Sequence, residues 1–413
     1  MVEFSKRMLS NGMRLLHHYD AQTRMVAVNI MVGVGSRDEN PGTTGLAHLM
    51  EHLMFSGSLN ATNFDLELQK AGGESNAWTS VDFTNFYDVL PAQNIETAFW
   101  LESDRMNYLL LDEQSIEVQR SVVTQEFLQR YANVPYGDLN HIIHQQAYKL
   151  HPYRWPSIGL STEDIANISR SDIEKFYHNY YRMSNIIICV SGNVSLSDAT
   201  RLAEKWFGEF DTSSVVAKSY PAEPSQGELR QTTVHRDVPQ DVINIAFHMC
   251  GRSHNDFVVC DMISDMLANG KSSRFYQNVI SRSDVFTELD AAVEGTADPG
   301  LFLIRGKLSH KASMQQAEDL IYDELNRLIT EHPHADELQK CVNKFHSTSL
   351  FENLSYLQKA TRLCQCEMNG DAGRINTEIE AYRQVSPDDI MRVSKQLFDN
   401  NNASVVYYCG MKQ

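Results

Sequence analysis

Long apolar runs are missing from this sequence. No stretch approaches the length of a membrane span, and Met1 to Asp20 holds no continuous apolar core of signal-peptide length. The expectation is a chain without a membrane-spanning segment. Cysteine is scarce and unpatterned. There are seven, an odd number at irregular spacings, and Cys364 and Cys366 stand one residue apart rather than two. They read as reduced, mostly buried thiols, which favours the cytoplasm and leaves a periplasmic setting open. Positive charge is also in deficit: 36 Lys and Arg against 53 Asp and Glu give a net charge of −17. That balance argues against a nucleic-acid partner. It suits a substrate carrying Lys or Arg, although solubility is the commoner cause.

What is present describes a globular protein of more than one core. Apolar residues make up 42% and charged residues 22% of 413, a length that suggests two domains. The second half echoes the first. Ala27-Val28-Asn29-Ile30-Met31 opens a strand followed by Gly33, Gly35, Ser36 and Arg37. Val242-Ile243-Asn244-Ile245-Ala246 opens another, followed by Gly251, Arg252 and Ser253. Each half ends on a β-rich run before a glycine, Asn185 to Gly192 and Ala403 to Gly410. Residues 211–230, with Pro221, Pro224 and Gly227, read as the joint. The expected organisation is an N-terminal domain over 1–215, a linker over 216–230 and a homologous C-terminal domain without a metal site over 231–413. Long amphipathic stretches predict helices over 93–109, 113–132, 313–331 and 335–368. Short β-branched runs supply the strands. The fold class is therefore α+β: two duplicated domains, each a mostly antiparallel sheet with helices packed on one face.

The chemistry gathers at His48-Leu49-Met50-Glu51-His52. Residues four apart share one face of a helix, so His48 and His52 can offer two imidazoles to one ion. Glu51 projects near the same rim and can take a proton from water. A histidine in an apolar helix is more often a satisfied core residue. Here Leu46, Leu49, Met50, Leu53, Met54 and Phe55 bury the helix almost all round, and burying two histidines and an acid unpaired is costly. Thr43 or Thr44 is the expected N-cap and Gly57 the stop, which predicts about three turns. The order His-x-x-Glu-His is the inverzincin signature.

A hydrolytic zinc site wants three protein ligands and an open position. At the helical run Gln119-Arg120-Ser121-Val122-Val123-Thr124-Gln125-Glu126, followed by Asn133-Val134-Pro135-Tyr136-Gly137, the chain resembles the pitrilysin, insulysin and mitochondrial processing peptidase family. The resemblance extends to Gly72-Gly73-Glu74-Ser75-Asn76-Ala77-Trp78-Thr79-Ser80, to His151-Pro152-Tyr153 through Ile158-Gly159, and to Asn185–Gly192. It implies a zinc endopeptidase of unfolded peptides or presequence-like segments. His48, His52 and Glu126 would bind Zn2+ and Glu51 would be the general base. Asn76, Ala77, Trp78 and Thr79 would bind substrate as an added strand, and a dimer would enclose the cavity.

Two positions depart from the family pattern. Gln119 stands where a glutamate usually lies seven residues before the liganding one, close to two turns away, and can hydrogen-bond there without bringing charge. Ile280 and Thr287 stand where an arginine and a tyrosine usually bind substrate. The rival reading is a non-catalytic or weakly active subunit that works only with a related partner chain. Homodimer and heterodimer both stay open.

Overall fold

Two central strands of the first sheet have no polar face, and that decides how the sheet is covered. The computed structural model describes residues 1–210 and 218–411. The start of the expected joint, 211–217, lies outside the described residues. The first sheet contains β1 (Ser5–Met8), β2 (Arg14–Tyr19), β3 (Met25–Val32), β4 (Glu74–Thr79), β5 (Thr84–Pro91) and β6 (Ile186–Gly192). Their order is β1-β2-β6-β3-β5-β4. Every residue of β6, and all of β3 after Met25, is buried. Continuous apolar strands of this kind need both faces covered. Helices Ile95–Tyr108 and Leu196–Phe207 from the same half take one face. The other receives helix Tyr356–Met368 from the second half, whose Ala360, Leu363 and Cys364 pack with Leu16, Ala27, Met31, Ile187 and Cys189.

The second sheet contains β7 (Arg230–Arg236), β8 (Val242–His248), β9 (Phe286–Val293), β10 (Leu301–Leu308) and β11 (Ala403–Gly410), in the order β7-β11-β8-β10-β9. Counted within its own half, the order 1-5-2-4-3 is the same for β2–β6 and for β7–β11. Each five-strand set has one parallel pair, β2 with β6 and β7 with β11, among antiparallel neighbours. The duplicated α+β architecture is thus visible strand by strand. Helices Phe257–Ala268, Met314–Thr330 and Pro387–Leu397 build the second core with Ile243, Ile245, Phe247, Phe302 and Ile304. Helix Leu139–Ala147 from the first half lies along β7, β8 and β11. Its last carbonyls are held by Arg230 and by His248 Nε2, the latter 3.1 Å from Ala147 O.

The compact units therefore exchange segments. One comprises Met1–Gln129, Trp155–Tyr220 and Ser349–Asn376, the other Arg130–Arg154, Pro221–Thr348 and Thr377–Gln413. One element differs from expectation. A single helix over 335–368 is not formed; it breaks into Ala335–Glu352 and Tyr356–Met368, with Ser355 capping the second through Gln358 N–H. Among the described residues no helix is long and apolar enough to cross a membrane.

Candidate metal centre

The His48–His52 helix is held from behind and below. Leu46, Ala47, Leu49, Met50 and Leu53 are buried, which fixes its roll. It runs from Leu46 to Leu53, two turns rather than three. Neither Thr43 nor Thr44 caps it. Thr43 bonds to Asn40 O, and Thr44 donates its hydroxyl to Asp164. The cap comes from Glu39, whose carboxylate accepts Gly45 N–H at 2.9 Å and Ala47 N–H at 2.8 Å. A carboxylate at a helix N-terminus satisfies orphan donors and suits the dipole. Burial nonetheless pushes its pKa well above the usual carboxylate range. Gly45 has φ +92°, and a Cβ there would lie 2.7 Å from Ile158 O. Gly159 makes the reciprocal approach to Thr44 O. Sequence reasoning missed Glu39 because nothing local marks a residue seven positions before the helix as its cap. The pair of glycines was legible only as isolated turn signals.

Helix Glu113–Phe127 lies beside this one, started by Asp112 and anchored by Arg120, which donates to Ile168 O at 2.7 Å. It widens into a π-helical turn, Leu128–Ala132, two residues after Glu126. Glu126 Oε2 stands 3.8 Å from His48 Nε2 and 3.4 Å from His52 Nε2. The two imidazoles meet edge to face at 86°. One ligand atom from each of the three residues lies within 4.8 Å of the others, and no second group of this kind is found among the described residues. Bonds of about 2.0–2.1 Å to a tetrahedral ion imply ligand–ligand edges of roughly 3.3–3.4 Å. Two borderline-soft nitrogens and one oxygen at such spacing fit zinc.

Glu51 sits on the same helix and is almost fully buried. Thr79 Oγ1 donates to its Oε2 at 2.5 Å. Burial pushes the carboxyl up to about 7, the Thr79 hydrogen bond opposes that, and the Glu126 charge adds to it. Thr79 thus reaches the carboxylate, while Trp78 turns to the other face of β4 and packs edge to face on Phe83, centroids 5.5 Å apart. Among the described residues β4 pairs only with β5, so its second edge is open there. Ala77 N–H points to that edge, where the side chain of Asn76 accepts it at 2.8 Å. Gln119 is half-buried within helix Glu113–Phe127, and no hydrogen bond of its side chain is found among the described residues. In the second unit the Ile280 side chain packs against the apolar core. Thr287 is exposed on β9, its hydroxyl bonded to Lys307 O and Gln240.

Comparison with known proteins gives this geometry a family. Residues 14–159 match insulinase (peptidase family M16), and residues 167–345 match the peptidase M16 inactive domain. The chain belongs to peptidase family M16. Among M16 relatives, the zinc protease PqqE of Helicobacter pylori is 28% identical over 410 residues, 97% of this chain and 91% of that protein. The crystal structure of a protease from Helicobacter pylori superposes with a TM-score of 0.92 at 26% identity, covering 99% of both chains. Pitrilysin shares the fold at 18% identity and a TM-score of 0.78; the match takes in 98% of this chain but 45% of pitrilysin. The metal-ligand group lies wholly within the first M16 match, and the second match carries the descriptor inactive.

Proposed function

We propose that this M16 chain is a zinc endopeptidase acting on unfolded peptides or presequence-like segments. The observation that carries the reading is the convergence of His48, His52 and Glu126 beside a buried Glu51. The first three would hold the ion. When bound, zinc supplies Lewis acidity that polarises a peptide carbonyl and acidifies water. Glu51, pushed up to about 7, populates both protonation states near neutrality. It can therefore take a proton from water and hand it to the departing amine. The open edge of β4 offers the backbone of Ala77 to an extended peptide, which would displace the Asn76 side chain. Gln119 would serve as a neutral neighbour to Glu126. The test is zinc content together with cleavage of an unstructured fluorogenic peptide, with Glu51→Gln in parallel. A metal-free chain, or equal cleavage by both proteins, would defeat the reading.

A second reading has its own observation. Ile280 packs into apolar surroundings and cannot hydrogen-bond a substrate carbonyl, and Thr287 has a short reach. That favours a subunit of weak activity by itself, completed by a related partner chain. In either case we propose a dimer, because pitrilysin holds about twice the length matched here. The first of the duplicated halves, 1–215, would carry both the metal ligands and the substrate-pairing strand, and the second, 231–413, would carry no metal site. The seven free cysteines support a reducing, cytoplasmic setting.

A further inference from the structure

One bond in the first unit joins the open strand edge to the acid beside the metal ligands. Glu51 projects from helix Leu46–Leu53 and Thr79 is the last residue of β4; 28 positions separate them, and Oγ1 to Oε2 is 2.5 Å. No other hydrogen bond to the Glu51 carboxylate is found among the described residues. Oε2 is therefore occupied and Oε1 is the oxygen left to exchange a proton. The backbone phase of β4 adds the second observation. Ala77 N–H faces the open edge, while Ser80 N–H bonds inward to Phe83 O at 2.9 Å. Strand directions alternate, so Ser75, Ala77 and Thr79 share the outward phase. The residue whose side chain grips Glu51 thus also faces a pairing strand with its main chain.

We propose that Thr79 is a positioning residue that fixes the Glu51 carboxylate through Oε2 and couples it to substrate pairing along β4. This rests on the peptidase reading above. A hydroxyl suits the task because it is a short donor that reaches the carboxylate directly from the strand backbone. A buried carboxylate lacking this donor would be free to change rotamer at the cost of a charge-assisted hydrogen bond.

The test pairs Thr79→Val, which keeps the shape and loses the donor, with Thr79→Ser, which keeps the donor. For a peptide that the wild type cleaves, Thr79→Val should lower kcat about 10-fold or more, the scale of one hydrogen bond to a charged group. KM should change little, as should peptide affinity measured by anisotropy in a Glu51→Gln background. Thr79→Ser should recover most of kcat. A readout independent of turnover is thermal stability: Thr79→Val should lower Tm in the native background and leave Tm almost unchanged in Glu51→Ala. Native kcat in Thr79→Val, a loss confined to KM, failure of serine to rescue, or equal Tm shifts in both backgrounds would each overturn the inference. A wild-type protein without zinc or hydrolysis would instead defeat the peptidase reading, and the two-background Tm comparison would still judge the bond.

Discussion

Single side chains set the chemistry here, and their environments make opposite demands. In the proposed mechanism Glu51 exchanges a proton with water, and Glu126 is a ligand to the ion. Glu51→Gln keeps the shape and removes the proton acceptor, so zinc should stay bound while hydrolysis falls by at least about 100-fold. Cleavage at the native rate would identify another base. Glu126→Gln exchanges an anionic ligand for a neutral amide and should lower zinc retention through dialysis, measured by elemental analysis. Full retention would remove Glu126 from the ligand set. Away from the site, Asp88 on β5 is fully buried, and burial, then the neighbouring Glu102, raise its pKa well above normal. Glu102 is itself paired with Arg105, whose guanidinium lies over Phe55, Phe64 and Phe86. With a raised pKa in the folded state, the stability contributed by Asp88 is complete below its unfolded value of about 3.9 and is lost as pH rises through the folded value. Asp88→Asn keeps the shape and cannot ionise. Its Tm should equal or exceed that of the native protein at pH 8, with the gap widening as pH rises. A gap that stays constant as pH rises would mean that Asp88 is already ionised in the fold.

At the scale of elements, the open edge of β4 and the helix facing it do the positioning. Proline at an edge strand is tolerated where the lost N–H faces outward, and Ala77 N–H does. Ala77→Pro should therefore fold, with a small change in Tm, while KM for an extended peptide rises sharply. Unchanged peptide affinity in the folded variant would point to another docking surface. The same edge shows how little of a site is visible residue by residue. Asn76, Ala77, Trp78 and Thr79 are consecutive, yet one caps the edge, one offers a main-chain donor, one packs on Phe83 and one holds Glu51.

For the whole molecule the proposal to test is a dimer that encloses the site. A chain that aligns with 45% of pitrilysin supplies one set of duplicated sheets where pitrilysin has room for two. We expect a dimer by light scattering. If the positions of Ile280 and Thr287 leave substrate poorly held, turnover of the native complex from its source should exceed that of the recombinant chain. One subunit type with equal turnover in both preparations would leave the homodimer and end the heterodimer idea.

The sequence by itself carried the duplication, strands such as β3, β6 and β8, and the His48–His52 pair in short-range terms, while Glu126 entered as a candidate ligand through the family resemblance. Period-two and continuous apolar runs mark β3, β6 and β8, and four-residue spacing sets His48 over His52 whatever surrounds them. The remainder was decided by packing between distant segments. Glu39 took the capping role from Thr43 and Thr44 because its carboxylate reaches the helix start through space. The stretch 335–368 kept its helical period but broke before Ser355, which caps the second helix, and that helix packs on the first sheet. Thr79 met Glu51 only because β4 packs beside the metal helix. Local patterns fix what a segment is; burial of apolar faces and satisfaction of buried polar groups fix what it touches, and those depend on the whole chain.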